Sequence, residues 1–347
     1  MNENVKNTTR IFPDQGREPY VRLDMNENPI GLPVEVVDKL RDCITPEFIS
    51  RYPEPDIVAE KYAKLVGVNP DQLCLTNGSD NAIRYVMQTF AEPGKDVLTV
   101  RPTFEMYMVN CWLLGLNHKT VEYDDDFTIS IDKLVAAIDD NTTMVILVNP
   151  NNPLGNTYSE EDVRTIVEAA RAHDAMVVID EAYHYFTKNT HIKLIDEYDN
   201  IIVLRTFSKC LSMAGLRLGV AISNSQVAHY LNSLRLTFEV NTAALKMAEI
   251  ILDTPGLIDE LARIQIEGRT YVEDELKKAG YEVIEGESNF VSFKPNRDAT
   301  EVSDALKDAG ILVKTFGGGL LKGWIRINTG SVEVMKDFIT TLAKVDR

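Results

Sequence analysis

The chain has 347 residues, of which 44% are hydrophobic and 26% are charged. This composition excludes a wholly disordered chain, because so much apolar material can offset the entropy that is lost when a large core becomes ordered. The chain carries 36 Lys and Arg residues against 53 Asp and Glu residues, a net charge of −17, which argues against a protein that binds nucleic acid through a basic surface.

The N-terminus and the cysteines indicate where the protein works. The first ten residues are polar, and we find no apolar run long enough for a signal peptide or a membrane span. The cysteines have no CxxC or metal-ligand spacing, and we expect them to be packing residues in a reducing compartment. The histidines share no spacing that suggests a zinc site. We therefore expect a cytoplasmic protein with no metal, nucleic-acid or membrane partner.

The first two thirds of the chain alternate between strand-like and helix-like patterns. Short runs rich in Val, Ile and Leu are typical of strands buried on both faces, and they lie at 72–75, 96–100, 144–148, 176–179, 201–204 and 218–222. Segments with helical spacing lie between them, such as 159–173, which begins with a serine cap. This alternation predicts a mostly parallel, doubly wound α/β sheet.

The pattern changes after Thr242. A long helical region at 243–280 has Pro255 as its one evident interruption. Beyond it we predict strands at 282–284, 290–293, 311–314 and 323–328, helices at 300–308 and 332–344, and a glycine-rich turn at 317–319. The chain is thus predicted to comprise an N-terminal arm (1–32), a large α/β domain (33–240) and a smaller α+β C-terminal domain (241–347).

Polar residues follow four of the predicted strands. They lie in the segments 76–81 (TNGSDN), 149–155 (NPNNPLG), 180–183 (DEAY) and 205–209 (RTFSK). In open α/β sheets, ligands bind beyond the carboxyl ends of the strands. These segments are therefore the candidate site.

Three of these segments allow both a chemical and a structural interpretation. The segment 78–80 begins a helix whose free N–H groups could bind a phosphate, although a simple helix cap is the alternative. Asp180 ends an apolar strand, so its carboxylate either is buried and needs a cation or is a turn residue. Lys209 could capture a carbonyl group or could be a surface charge.

The order of the motifs is more specific than any one of them. GSD at 78–80, NNPLG at 151–155, DxxY at 180–183 and SK at 208–209, with an arginine eight residues after the lysine, resemble the fold type I pyridoxal-phosphate aminotransferases of classes I and II. The resemblance extends from NENP at 26–29 and RYP at 51–53 to WIRI at 324–327, and is greatest to the histidinol-phosphate aminotransferase branch. It implies the aspartate-aminotransferase fold and pyridoxal 5′-phosphate as cofactor.

The resemblance also implies catalytic roles. Lys209 would hold the cofactor as a Schiff base and, once displaced, would move a proton as general base and acid. Asp180 would keep the ring nitrogen protonated. Asn152 and Tyr183 would donate to the phenolic oxygen and so lower the pKa of the neighbouring imine. Tyr107 would stack on the ring.

Further residues are implied at the phosphate and at a subunit interface. The residues expected to bind the cofactor phosphate are Gly78, Ser79, Thr206, Ser208 and Arg217. Asp80 belongs to the same motif, and we expect it to cap the helix and order the loop, because its charge would repel a phosphate. Tyr52 resembles the tyrosine that reaches the partner subunit's cofactor, which implies a homodimer with shared active sites.

The substrate side departs from the family pattern. Arg326 matches the arginine that binds the substrate's acidic group, and Tyr20 and the segment from Asn26 to Asn28 would close over the substrate from the arm. The branch usually has arginine where this chain has Lys314, and a lysine keeps the charge but lacks the planar fork that binds an anion with two hydrogen bonds. We expect Arg326 to be the principal anchor and Lys314 a secondary one.

The expected activity is transamination between an amino donor and a keto acid, with histidinol phosphate and 2-oxoglutarate as the favoured pair. An aromatic amino acid aminotransferase and a decarboxylase similar to threonine-phosphate decarboxylase are the alternatives. Transamination and decarboxylation differ in which bond at Cα lies perpendicular to the cofactor ring, which a sequence does not reveal. A non-enzymatic regulatory domain is disfavoured, because the complete catalytic set is present and no DNA-binding module is attached.

Overall fold

The computed structural model describes residues 3–8 and 15–347, and the strands of this part of the chain form two sheets. The strands are β1 Val21–Leu23, β2 Leu73–Thr76, β3 Asp96–Arg101, β4 Asn117–Glu122, β5 Thr142–Val148, β6 Met176–Asp180, β7 Ile201–Thr206, β8 Gly219–Ile222, β9 Glu282–Ile284, β10 Phe290–Lys294, β11 Ile311–Thr315 and β12 Ile325–Asn328. The α-helices are α1 Glu3–Asn7, α2 Val34–Cys43, α3 Pro46–Ser50, α4 Asp56–Val66, α5 Ser79–Phe90, α6 Met106–Leu114, α7 Ile131–Ala136, α8 Glu160–Arg171, α9 Ser225–Leu234, α10 Thr242–Leu252, α11 Leu257–Lys278, α12 Ala299–Asp308 and α13 Val332–Val345.

The larger sheet has seven strands in the order β2-β8-β7-β6-β5-β3-β4. Only β8 runs antiparallel to its neighbours, so the mostly parallel α/β sheet is confirmed. Side chains alternate between the faces of the sheet: Ile201 and Val203 of β7 pack into one apolar cluster, and Ile202 and Leu204 into another. This burial on both faces explains the unbroken apolar runs in the sequence.

The second sheet has five strands in the order β1-β11-β12-β10-β9, with β1 parallel to β11 and the other pairs antiparallel. Its core includes side chains from α11, α12 and α13, such as Val272, Leu306 and Phe338. Strand β1 comes from the segment assigned to the N-terminal arm, so the arm supplies an edge strand to this sheet. The arm's residues 1, 2 and 9–14 lie outside the described residues, and the division into domains stays a prediction.

Several predicted elements differ from the observed ones. The helical region 243–280 is two helices, α10 and α11, which are separated where Gly256 has a φ of +74°. The strand predicted at 72–75 begins one residue later than predicted, at Leu73, because residues 70–72 form a 3₁₀ turn. The strand predicted at 323–328 begins at Ile325. The sequence did not predict strand β4, because its residues, NHKTVE, are mostly polar. No side chain of this strand is fully buried.

Other features bear on the expected partners. In the described part of the chain, no helix is both long enough and apolar enough to cross a membrane. Within the same residues, no cluster of three or more His, Cys, Asp or Glu side chains is arranged to hold a metal ion. All the cysteines are free, with Cys74, Cys111 and Cys210 buried and Cys43 partly buried.

Candidate active site

The four polar segments meet at one edge of the larger sheet. Val148 of β5 lies opposite Asp180 of β6, which in turn lies opposite Leu204 of β7. Strand β8 is antiparallel to both β2 and β7, so the last residues of these two strands, Thr76 and Thr206, lie on either side of Gly219. The carboxyl ends of four strands therefore bring their following residues together, as the sequence predicts for a ligand site.

Asp180 is the buried acid of this edge. It is 3% exposed, and its carboxylate accepts hydrogen bonds from the Tyr107 hydroxyl at 2.7 Å and from the Ala182 N–H at 3.1 Å. Burial raises the pKa of Asp180 to about 6, against the effect of these two hydrogen bonds. Among the described residues, no lysine or arginine forms an ion pair with it. The sequence did not predict the hydrogen bond from Tyr107 to Asp180. Stacking of the Tyr107 ring on the cofactor stays a prediction.

Lys209 lies just beyond the end of β7, with its amine inside the site. Its Nζ donates a hydrogen bond to the Met25 carbonyl at 3.0 Å and lies 6.0 Å from the centre of the Tyr183 ring. Burial, followed by the positive charge of Arg326, lowers the pKa of the Lys209 ammonium to about 8. An amine with this pKa is partly neutral near pH 7, which is what a nucleophile or general base requires.

Tyr183 is held from the N-terminal arm. The side chain is 3% exposed, and its oxygen accepts a hydrogen bond of 2.8 Å from Nδ2 of Asn26. Burial raises the pKa of Tyr183 to about 12, so the phenol keeps its proton at neutral pH. The ring also packs edge-on against Phe290 at 5.3 Å.

Arg217 packs against the first turn of α5. Gly78 has a φ of +79°, and a Cβ atom there would overlap the Arg217 guanidinium, so the close approach requires glycine. Arg217 donates to Ser208 Oγ at 3.3 Å and to the Asp80 carboxylate at 3.4 Å. The expectation that Asp80 caps the helix is wrong: the cap residue is Gly78, without a side-chain bond, and Asp80 pairs with Arg217 instead.

Ser79 and Thr206 order the backbone around Arg217. The backbone N–H of Ser79 begins α5 and lies so close to Gly219 that a Cβ on Gly219 would overlap it. The Thr206 hydroxyl faces the Leu218 carbonyl at 3.5 Å and accepts the Ser208 N–H at 3.1 Å, so it orders the loop from within.

Arg326 lies on β12 of the second sheet and reaches the larger one. It is 7% exposed and donates to Asn152 Oδ1 at 2.6 Å and to the Asp24 carbonyl at 2.8 Å. Its buried Nε has no partner among the described residues. Lys314 lies directly opposite Arg326 in the antiparallel β11–β12 pair, which puts both cations on one face of the sheet.

Tyr20 and Asn28 line a neighbouring cleft of about 580 Å³ between the arm, helix α13 and the loop after Lys209. Asn28 donates to Ser212 Oγ in that loop at 2.7 Å. The cleft's lining includes Ser208 but not Asp180 or Arg326, so the structure places Tyr20 and Asn28 beside the buried site.

Tyr52 lies at the surface. Its side chain is 74% exposed and stacks on Phe238, with ring centres 4.0 Å apart and planes inclined by 15°. Within the described chain, its hydroxyl forms no hydrogen bond. The structure thus leaves Tyr52 outside the cluster that this one chain forms.

A buried ion pair behind the site was missed by the sequence reasoning. Glu181 is fully buried, and Arg205 donates to its Oε2 through Nε at 3.0 Å and Nη2 at 2.8 Å. Thr190 and the His191 N–H also donate to this carboxylate. A signal was available, because Glu181 and Arg205 directly follow residues paired across β6 and β7. The pair fixes the backbone that carries Asp180.

The sequence matches the model of the family described as aminotransferase class I and II over residues 18–342. The histidinol-phosphate aminotransferase of Caldanaerobacter subterraneus subsp. tengcongensis is 34% identical over 333 residues, which cover 94% of this chain and 93% of that protein. The Clostridium novyi histidinol-phosphate aminotransferase is 35% identical over 329 residues, covering 93% of this chain and 91% of that protein.

Solved structures share the fold. The histidinol-phosphate aminotransferase of Sinorhizobium meliloti, in complex with pyridoxal-5′-phosphate, aligns with a TM-score of 0.89 at 24% identity, over 100% of this chain and 97% of that one. Aspartate aminotransferase from Thermus thermophilus with maleate aligns with a TM-score of 0.82 at 19% identity, over 99% of both chains. The expected aspartate-aminotransferase-like fold is therefore confirmed.

Replacing Asp180 by asparagine should stabilise the ligand-free protein at neutral pH. The pKa of Asp180 is about 6 in the folded chain and about 3.9 in an unfolded one. As the pH rises between these values, the unfolded state loses its proton first, so the free energy of unfolding falls, by roughly 3 kcal/mol in all. Asparagine does not titrate, so the variant avoids this fall in the free energy of unfolding.

Urea unfolding at about pH 4 and about pH 7.5 measures this effect. The advantage of Asp180→Asn over the native chain should grow by roughly 2–3 kcal/mol between the two pH values. Asp42→Asn, at an exposed position, is the matched control and should show no such growth. An advantage of Asp180→Asn that does not change with pH would contradict the assignment of a buried, uncompensated carboxylate.

Proposed function

The chain belongs to the class I and II aminotransferases, and from this premise we propose that it is a histidinol-phosphate aminotransferase with 2-oxoglutarate as the amino acceptor. The observation that carries the catalytic part is the meeting of a buried carboxylate without a cation, Asp180, and an amine of lowered pKa, Lys209, at one sheet edge. The names of the relatives that are 34% and 35% identical support the substrate.

The residues present fit pyridoxal 5′-phosphate, the cofactor of this family. Asp180 offers a buried negative charge that a protonated ring nitrogen would neutralise. Arg217, beside the side-chain-free Gly78 and the N-terminus of α5, offers the donors and positive charge that a phosphate requires. Lys209 offers the amine. The fit therefore rests on charge, donor chemistry and space together.

The bound cofactor would supply an electron sink for the electrons released at the substrate's Cα. Asp180 would hold a proton on the ring nitrogen, since an ion pair with that nitrogen favours the charged form of both groups. Lys209 would take the proton from the substrate's Cα and return it to C4′ of the cofactor, across the intervening nitrogen, which a pKa of about 8 allows in both directions near neutral pH. Asn152 accepts from Arg326 through Oδ1, and its Nδ2, which donates to no group among the described residues, would donate to the phenolic oxygen.

Arg326 would be the principal anchor for the substrate's anionic group, and Lys314 the secondary one. The buried, unpartnered Nε of Arg326 and the position of Lys314 opposite it support this assignment. Lysine in place of the arginine usual in this branch favours one second candidate, an aromatic amino acid aminotransferase, because a phosphate loses a two-point contact there. Tyr20 and Asn28 would cover the substrate from the cleft beside the site.

The enzyme would be a cytoplasmic homodimer. The exposed stack of Tyr52 on Phe238 is an apolar surface that a second copy could cover. In such a twofold assembly, Tyr52 of each chain would reach the cofactor phosphate of the other. Free cysteines suit a reducing compartment.

Lys209 should carry the cofactor. Borohydride reduction of the purified protein, followed by peptide mapping, should find the pyridoxyl label on the peptide that contains Lys209, because its amine has the lowered pKa. Lys209→Ala should give no label. A label on Lys314 or on any other lysine would refute the assignment.

Steady-state kinetics should decide the substrate. Histidinol phosphate should give a higher kcat/KM than phenylalanine, tyrosine or phosphothreonine, and the products should be a keto compound and glutamate without carbon dioxide. Lys314→Ala should lower kcat/KM for histidinol phosphate about tenfold, the value of one partly exposed charged hydrogen bond, and leave phenylalanine unaffected. If phenylalanine performs as well as histidinol phosphate in the native enzyme, the phosphate-specific interpretation is wrong.

Hybrid dimers should test the shared site. A Lys209→Ala subunit and a Tyr52→Phe subunit each form a defective homodimer, but a hybrid of the two contains one site with both native residues. Mixing them should restore native cofactor affinity and turnover to that site. Tyr230→Phe, at another exposed tyrosine, should need no such rescue. A fully active monomer in sedimentation would exclude the shared site.

A further inference from the structure

Asn26 is a buried residue of the arm that touches both sheets. It is 2% exposed and has a φ of +56°, a conformation that asparagine tolerates better than most residues. Its N–H donates to Asn328 Oδ1 at 3.2 Å, and its carbonyl accepts from Asn289 Nδ2 at 3.2 Å. These bonds anchor its backbone on the second sheet and leave its side chain directed at Tyr183.

The direction of the Asn26–Tyr183 hydrogen bond determines where the phenol can send its own proton. Nδ2 of Asn26 donates to the Tyr183 oxygen at 2.8 Å. A phenol oxygen that accepts one bond still has one O–H to donate, and the Tyr183 hydroxyl donates no hydrogen bond in the described part of the chain. The Tyr183 O–H is therefore available for a ligand.

We infer that Asn26 is a positioning residue: by donating to Tyr183, it keeps the phenol's O–H directed at the phenolic oxygen of the bound cofactor. The inference rests on the proposed function. An acceptor at position 26 would take the Tyr183 proton for itself, so the cofactor would lose a donor. The hydrogen bond from Asn26 also polarises the phenol and makes it a better donor.

The charged groups that face Tyr183 come from several elements. They are Arg326 of β12, Asp180 of β6, Asp80 of α5 and Lys209 after β7. Changing Asn26 leaves all of them in place. In a variant that adds no charge, such as Asn26→Ala, a change in the pH titration of the bound cofactor can therefore be assigned to the Tyr183 hydrogen bond.

The test is a pH titration of the visible absorbance of the holoenzyme, which requires no turnover. Removing a donor from the phenolic oxygen raises the pKa of the bound chromophore, so Tyr183→Phe should raise it by about one to two units. Asn26→Asp, which is isosteric but places both an acceptor and a negative charge against Tyr183, should raise it by at least a similar amount, and by more than the same change does in a Tyr183→Phe background, where only the charge acts. Asn26→Ala should raise it less, because the phenol is then free to turn either way.

The double variant and a control separate positioning from general damage. In a Tyr183→Phe background, Asn26→Ala should add no further shift, because its effect passes through the lost hydroxyl. Asn232→Asp, at a partly buried asparagine that bonds to backbone carbonyls in α9 and β2, should leave the pKa unchanged. A further shift in the double variant would overturn the inference.

Two other outcomes distinguish failure of this inference from failure of the proposed function. If the native protein binds pyridoxal phosphate but Asn26→Asp titrates as the native enzyme does, the native amide already accepts from Tyr183, and the inference alone is overturned. If the native protein binds no pyridoxal phosphate, the proposed function is overturned, and the inference with it.

Discussion

The site depends on one buried charge, the Asp180 carboxylate, which residues 3–8 and 15–347 enclose without a cation. Such a group destabilises the fold unless a ligand supplies the opposite charge. The Glu181–Arg205 pair next to it is compensated within the chain, so two neighbouring carboxylates have opposite roles. Glu181 fixes the backbone, whereas Asp180 has no opposite charge until a ligand supplies one. The uncompensated carboxylate thus costs stability and leaves a preorganised acceptor for a cationic group.

The second constraint is the arm, which joins the two sheets through the site. The Asp24 carbonyl accepts from Arg326, the Met25 carbonyl accepts from Lys209, and Asn26 donates to Tyr183. Strand β1, which ends directly before Asp24, belongs to the second sheet. Three consecutive residues therefore contact Arg326, Lys209 and Tyr183. A displacement of the second sheet is expected to move all three together.

The sequence predicted what burial and strand direction determine. The apolar runs marked β5, β6 and β7, and the polar residues after them lie together because parallel strands end at one edge. It did not predict β4, whose sequence is polar, or the separation of α10 from α11. Asn26–Tyr183 joins residues 157 positions apart, and such a contact depends on how the arm crosses the sheets, a tertiary fact that no local pattern encodes. The Asp80–Arg217 pair was missed for the same reason.

The net charge of −17 sets a final condition on an anionic substrate. At physiological ionic strength, charges more than about 8 Å apart are largely screened, so the acidic surface has little effect on such a substrate until the two are close. Affinity must come from short contacts inside the site. Arg326 is buried and held by Asn152 and Asp24, so it loses little entropy on binding. Lys314 has no planar fork, so two-point recognition of an anion would fall to Arg326.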